Sequence, residues 1–225
     1  MPKRYRGQSF KLTFDRAPRF VLLLVSIVAE LMLAPLFVDS EFGLHAAQGV
    51  ASVVILAALW AAGAHATAVL FFVPTIVAQL LAGYWGGAPL HVAALILRIL
   101  FLGYVTGLIM WRTLRRSDVT FDTIAGAACA YTLLALVWGN IYVLLEVLHP
   151  GSFNIPAVWL MGASHDPGAA LVYFSFATLT TVGYGDITPL WPGAGGLAAG
   201  EAVVGQLYLA ITIARLVGVH ASQRT

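Results

Sequence analysis

Long apolar stretches constrain the fold of this chain more than any other feature of its sequence. Of the 225 residues, 60% are hydrophobic and only 10% are charged. An apolar run of about 20 residues can cross a bilayer as an α-helix, because all its backbone polar groups then bond within the helix. Six runs are predicted to do so: residues 20–38, 47–62, 67–83, 90–111, 121–147 and 195–219. The predicted fold class is an all-α membrane protein with six transmembrane helices.

The positions of the positive charges predict the orientation in the membrane. Cytoplasmic segments of membrane proteins are enriched in Lys and Arg. Of the twelve Lys and Arg residues, only Arg98 and Arg215 lie within predicted spans, and the others fall in segments that six spans place on the cytoplasmic side. Asp39, Glu41 and Asp166 fall on the outer side. We therefore expect a multi-pass protein of the plasma (cell inner) membrane with both termini in the cytoplasm.

A glycine-containing stretch lies between the last two predicted spans. Residues 168–180 are predicted to form a short helix, followed by the sequence TVGYGD at residues 181–186. Successive carbonyl groups can face one axis if the backbone alternates in handedness, and Gly183 and Gly185 tolerate positive φ without a Cβ clash. Such a row of oxygens can replace the water around a potassium ion. Asp186 would then lie at the outer mouth, where its charge attracts cations.

The segment YFSFATLTTVGYGDITP, residues 173–189, resembles the pore of potassium channels, most of all small prokaryotic members of the two-helix-pore (ion channel) superfamily. The resemblance covers about residues 120–220. It implies a re-entrant pore helix and a selectivity filter formed by Thr181, Val182, Gly183, Tyr184 and Gly185. K+ would bind the carbonyls of the first four as the permeant ion, and no cofactor is expected. Because one chain supplies one filter loop, the resemblance implies a fourfold homotetramer.

The resemblance also assigns roles around the filter and along the last helix. In related channels, a glycine about twenty residues beyond the filter lets the inner helix bend, and this count reaches Gly205. At 100° per residue, one stripe of this helix is predicted to line the cavity and gate, although an ordinary apolar face would explain its aliphatic members equally. The stripe comprises Gln206, Leu209, Ile213 and Val217. The residues predicted to support the filter are Tyr173, Phe174, Thr178, Thr180 and Glu201.

Two charges on the last predicted span fall on the face opposite this stripe. Arg215 is expected to extend to the inner membrane interface. Glu201 is expected to be buried, pointing either toward the fifth predicted span or toward the back of the pore helix, with Tyr173, Ser175 and Thr178 as candidate partners. The sequence leaves open a plain structural hydrogen bond and a role of Glu201 in filter stability or proton sensing.

The fourth predicted span lacks the charges of a voltage sensor. A sensor needs several charges within the membrane, since each couples only about 2.3 kcal/mol per 100 mV. This span has one, Arg98, while Arg112, Arg115 and Arg116 follow at its cytoplasmic end. We predict an intramembrane pair between Arg98 and Glu30 of the first span, which either stabilises the fold or contributes to gating. Steep voltage gating is not expected.

The sequence departs from some potassium channels at two positions near the filter. Ala177 stands where some of them carry a carboxylate that bonds the aspartate at the mouth. Phe174, expected in an aromatic ring with Tyr173 and Tyr184, has no polar group to bond Tyr184. The outer loop, residues 149–167, is too apolar for a solvated tether and is expected to pack against the pore.

Four segments are expected: a basic cytoplasmic segment (1–18), a four-helix bundle in the sensor position (19–116), a pore domain (120–220) and a short tail (221–225). The predicted function is passive, leak-like conduction of K+. A weakly selective cation channel, a subunit of a potassium transporter and a non-conducting regulatory subunit are the alternatives. Scattered histidines and the lack of a nucleophile–base set argue against an enzyme. The expected partners are membrane lipids and other copies of the chain, with no nucleic acid and no soluble ligand-binding domain.

Overall fold

The computed structural model describes residues 19–33, 73–81, 87–116, 119–160 and 167–222, and these are mostly helical. The long elements are α1 (Arg19–Leu33), α2 (Ala88–Arg115), α3 (Phe121–Leu148), α4 (Gly168–Leu179) and α5 (Pro192–Ser222). Residues 73–81 are also helical. The outer loop adds a 3-10 turn (Ala157–Leu160) and strand β1 (Phe153–Asn154), and strand β2 (Thr188–Pro189) follows the filter.

Three of the described helices are long and apolar enough to cross a membrane: Ala88–Arg115, Phe121–Leu148 and Pro192–Val219. They coincide with the fourth, fifth and sixth predicted spans. The first predicted span is helical from Arg19 to Leu33, and the third from residue 73 to 81. The second, residues 47–62, lies outside the described residues. Six spans, the domain limits and the fourfold assembly stay predictions.

Helix α3 is the element on which α1 and α2 pack. Their shared core is apolar throughout, so burial of side chains drives the contact. It contains Phe20, Leu23 and Ile27 of α1, Phe101, Leu102, Val105 and Ile109 of α2, and Ala125, Cys129, Ala130 and Leu133 of α3. A close approach at Gly126, where a Cβ would lie 2.9 Å from Thr113 Oγ1, brings α2 and α3 together.

A polar cluster holds the start of α1 against the start of α3. Asp122 Oδ1 accepts a hydrogen bond from the backbone N–H of Phe20 at 3.1 Å, and Asp122 Oδ2 accepts one from Arg116 Nη1 at 3.3 Å. The Arg116 guanidinium lies 5.7 Å from the centre of the Phe20 ring. The first N–H groups of a helix have no partner within it, so Asp122 satisfies one of them from another helix.

The predicted Glu30–Arg98 pair would join α1 to α2. Arg98 is half-buried on α2. The side chain of Glu30 lies outside the described residues, so the pair stays a prediction.

The outer loop and the segment after the filter form one layer over the pore helix α4. Strands β1 and β2 pair antiparallel, with Phe153 opposite Pro189 and Asn154 opposite Thr188. The Ser152 carbonyl accepts hydrogen bonds from the N–H groups of Leu190 (2.8 Å) and Trp191 (3.2 Å). The described part of the loop therefore packs against the pore region, as its apolar sequence predicts.

Candidate filter and inner-helix site

The chain reverses direction where α4, the predicted pore helix, ends and residues 181–185, the predicted filter, begin; these names are used below for the two segments. The carbonyl oxygen of Ala177 accepts two backbone hydrogen bonds, from Val182 N at 2.9 Å and from Gly183 N at 3.1 Å. Thr181 N donates to Thr178 O at 3.0 Å, and the Thr180 hydroxyl donates to Phe176 O at 2.6 Å. The last turn of the pore helix thus fixes the first residues of the filter through its carbonyl groups.

Every second residue of the filter has a positive φ. The values are 60° at Thr181, 56° at Gly183 and 78° at Gly185, whereas Val182 and Tyr184 have negative φ. The two glycine conformations are as the sequence predicts, but that of Thr181 is not foreseen, because a β-branched residue rarely adopts it. Holding Thr181 there costs on the order of 1–3 kcal/mol, so the surrounding hydrogen bonds must enforce it. Alternating handedness is the backbone pattern that a row of carbonyls facing one axis requires.

The aromatic contacts beside the filter differ from the expected ring. Tyr184 stacks on Tyr173 with ring centres 6.1 Å apart, and Tyr173 in turn packs against Trp159 at 4.7 Å. Phe174 instead points into the core behind the pore helix, where it contacts the rings of Tyr142 (5.3 Å) and Phe153 (5.4 Å). Within the chain, Trp159 of the outer loop, which the sequence did not single out for this role, packs beside Tyr173. The assignment of Phe174 to a ring around the filter stays a prediction.

Asp186 is held by the backbone that follows it. Its Oδ1 accepts a hydrogen bond from the N–H group of Ile187 at 3.0 Å. The Tyr173 side chain, which stacks on Tyr184, lies within electrostatic range of the Asp186 carboxylate.

Glu201 is fully buried where α3, α4 and α5 meet. Its Oε2 accepts a hydrogen bond from the Tyr142 hydroxyl at 2.5 Å, and its Oε1 lies 2.5 Å from Ser175 Oγ. Ser175 is one of the three candidate partners, whereas Tyr142 was missed. The sequence offers little sign of Tyr142, because it lies 59 positions away in a helix that is apolar on all sides.

Gly205 lies in close contact with the end of the pore helix. A Cβ on Gly205 would lie 2.6 Å from the carbonyl oxygen of Leu179, the same oxygen that accepts a hydrogen bond from the Tyr131 hydroxyl at 2.9 Å. Helix α5 continues through this position from Pro192 to Ser222. A close approach thus requires glycine here, while the predicted hinge stays a prediction.

Three of the four predicted lining residues lie away from the face of α5 that packs on its own chain, and Leu209 lies at the edge of that face. That packed face contains Ala194, Ala198, Glu201, Gly205 and Thr212, all buried. Gln206, Ile213 and Val217 are exposed, the last two by about 60%, and Leu209 is partly exposed. Their exposure leaves the stripe available to line a shared cavity, and that role stays a prediction.

Arg215 does not simply extend to the interface as expected. Its Nε donates a hydrogen bond of 2.5 Å to the carbonyl of Leu114, in the last turn of α2. Carbonyl groups at a helix end carry partial negative charge and have no partner within the helix, so a guanidinium is favourable there.

Comparison with known proteins supports an ion-conducting role for this region. Residues 130–220 match the ion-channel family. The match begins in α3 and includes α4, residues 181–185 and nearly all of α5, so it covers the predicted filter and inner-helix residues. No curated protein and no solved structure matches the chain. Together with the three long apolar helices, this match suggests a membrane protein and supports an ion-channel function.

Proposed function

We propose that four copies of this chain form a potassium-selective channel that conducts K+ passively across the plasma membrane. The observation that carries this proposal is the positive φ at Thr181, Gly183 and Gly185, in a loop between the pore helix and the inner helix. With carbonyls of residues 181–184 facing one axis, K+ exchanges its water for protein oxygens and moves by displacement between adjacent sites. Asp186 at the outer mouth raises the local cation concentration.

Fourfold assembly explains the exposed side chains of the filter. Val182 is 52% exposed and Tyr184 is 71% exposed in the single chain, although both are large and apolar or aromatic. The outward faces of α5 also carry exposed Val204, Leu207 and Ile211. Neighbouring copies around a central axis would cover the filter side chains, while lipid and neighbours would cover the helix.

The proposal is tested by ion flux from liposomes that contain the purified protein alone. We expect barium-sensitive flux of K+ that strongly exceeds flux of Na+. Replacing Gly183 (φ 56°) by Ala should lower K+ flux or its preference over Na+ by at least about tenfold, because left-handed backbone costs a residue with a Cβ roughly 1–2 kcal/mol in each copy. Native mass spectrometry of the same sample reports the number of copies.

Gly151→Ala is the matched control. Gly151 has a similar positive φ of 84° and also has open space around its Cα, but it lies in the outer loop away from the filter. Its variant should keep K+ flux and selectivity close to those of the wild type. Equal passage of Na+ and K+ through the wild type would indicate a weakly selective pore. Intact tetramers without flux would favour a transporter or regulatory subunit.

A further inference from the structure

Three short oxygen–oxygen contacts around Glu201 each need a hydrogen, but the hydroxyl groups of Ser175 and Tyr142 supply only two. Ser175 Oγ lies 2.7 Å from the carbonyl oxygen of Ala135 and 2.5 Å from Glu201 Oε1. The Tyr142 hydroxyl is committed to Glu201 Oε2. A serine hydroxyl has a single hydrogen and cannot donate a full hydrogen bond to both of its neighbours. One of the two short contacts of Ser175 therefore needs a hydrogen from another group.

An additional proton on Glu201 resolves this count. Glu201 Oε1–H then donates to Ser175 Oγ, the Ser175 hydroxyl donates to Ala135 O, and Tyr142 donates to Glu201 Oε2. Every short contact then has one hydrogen. An ionised Glu201 could also accept short bonds, but Ser175 would then present lone pairs to Ala135 O at 2.7 Å.

The surroundings also disfavour an ionised Glu201. It is fully buried, and no Lys, Arg or His of the described residues forms an ion pair with it. The titratable groups that face it are both on α3: Tyr142 in direct contact, and Tyr131 within electrostatic range. The group it meets on α4, Ser175, does not titrate. An unpaired charge in such a place is far more costly than a neutral acid.

We propose that Glu201 is a protonated, neutral acid whose hydrogen bonds join α5 to α3 and to the pore helix and so position the pore helix behind the filter. The positioning part rests on the proposed channel function, whereas the protonation does not. Ser175 lies on α4, six residues before Thr181, and the bonds tie it to both flanking helices. Glu201 is thus a positioning residue that touches no permeant ion.

Infrared spectra of the wild type and of Glu201→Gln, in liposomes at neutral pH, test the protonation. Their difference should contain the C=O stretching band of a protonated carboxylic acid. Glu146→Gln is the matched control: both Oε atoms of Glu146 accept hydrogen bonds from backbone N–H groups, those of Gly151 (2.7 Å) and Phe153 (3.2 Å), which a carboxylate can do with no hydrogen of its own. Its difference spectrum should therefore contain carboxylate bands. Carboxylate bands in the Glu201 difference would overturn the proposal, whatever the protein conducts.

Ion flux and its pH profile test the positioning. Glu201→Gln keeps one donor and one acceptor, so its K+ flux should stay within about twofold of the wild type, whereas Glu201→Leu, which loses both, should fall at least about tenfold. Since the functional form of Glu201 holds the proton, wild-type K+ flux should fall at the alkaline pH at which the infrared band of the acid disappears. The K+ flux of Glu201→Gln should not fall over that pH range. Equal flux in the Gln and Leu variants would overturn positioning. If the Leu variant does not fold, Tyr142→Phe serves instead: it removes one hydrogen bond to Glu201 and should lower K+ flux. Unchanged flux in Tyr142→Phe would also overturn positioning.

Discussion

The requirement for glycine at position 205 comes from a residue of another helix, Leu179, and not from the conformation of α5 itself. The Leu179 carbonyl is contacted from α3 by the Tyr131 hydroxyl and approached from α5 at Gly205. A side chain at position 205 would displace that oxygen or push α5 away from the pore helix. Counting along the sequence identifies this glycine, but it cannot give the distance between two helices, so the close contact could not be predicted.

We expect Gly205→Ala to destabilise the protein by about 2 kcal/mol, because overpacking a close helix contact typically costs 1–3 kcal/mol. The free energy of unfolding in mixed micelles measures this effect. Gly218→Ala on the same helix is the control: open space surrounds its Cα, so it should be neutral or slightly stabilising through its helix propensity. Equal stability of the two variants would show that the contact at Leu179 relaxes freely.

Helix α1 is joined to α3 by a contact between elements far apart in sequence. Asp122 and the Phe20 N–H that it binds are separated by 102 positions. The sequence predicts that both helices form, since each is a sufficiently long apolar run. It does not predict which face of α3 receives α1, because α3 is apolar around most of its circumference and has small residues on several sides.

Asp122→Asn should lower the free energy of unfolding by about 1 kcal/mol, since it weakens a bond to an otherwise unpaired helix N–H and removes an ion pair. Arg116→Gln removes only the ion pair, which is partly exposed (39% and 26% for the two side chains), and should have the smaller effect. Thermal unfolding of the two variants in parallel makes the comparison. A loss for Arg116→Gln as large as that for Asp122→Asn would contradict a capping role of Asp122.

Features of the site that depend on consecutive residues were predictable, whereas those that depend on contacts between helices were not. The filter conformation depends on a few consecutive residues, so positive φ at Gly183 and Gly185 could be predicted from local sterics. The orientation of Phe174 could not, because the pore helix is buried on several sides and its sequence has no clear polar face. The proximity of Tyr173 to Asp186 is likewise a matter of tertiary distance, which the sequence does not give.

For the whole molecule, we expect conduction that depends only weakly on membrane potential. Helix α2 carries one charge in its middle, Arg98, and its remaining arginines lie at its C-terminal end. One charge crossing the whole membrane would couple about 2.3 kcal/mol per 100 mV, well below what steep gating requires. Current–voltage recordings in planar bilayers, at equal K+ on both sides, should be nearly linear. A steep activation curve equivalent to several charges per chain would contradict this expectation.

The contact of α5 with the last carbonyl of the pore helix also has a thermodynamic consequence. Any movement of α5 that widens the inner end alters the environment of Leu179, two residues before the first filter carbonyl. Binding of K+ in the filter and opening at the inner end would then be linked by a coupling free energy, and each would affect the other to the same extent. We expect external K+ to change the open probability, and opening to change the affinity for K+ by the same factor. Single-channel recordings across a range of K+ concentrations would measure that factor, and an open probability independent of K+ would show that the two ends act separately.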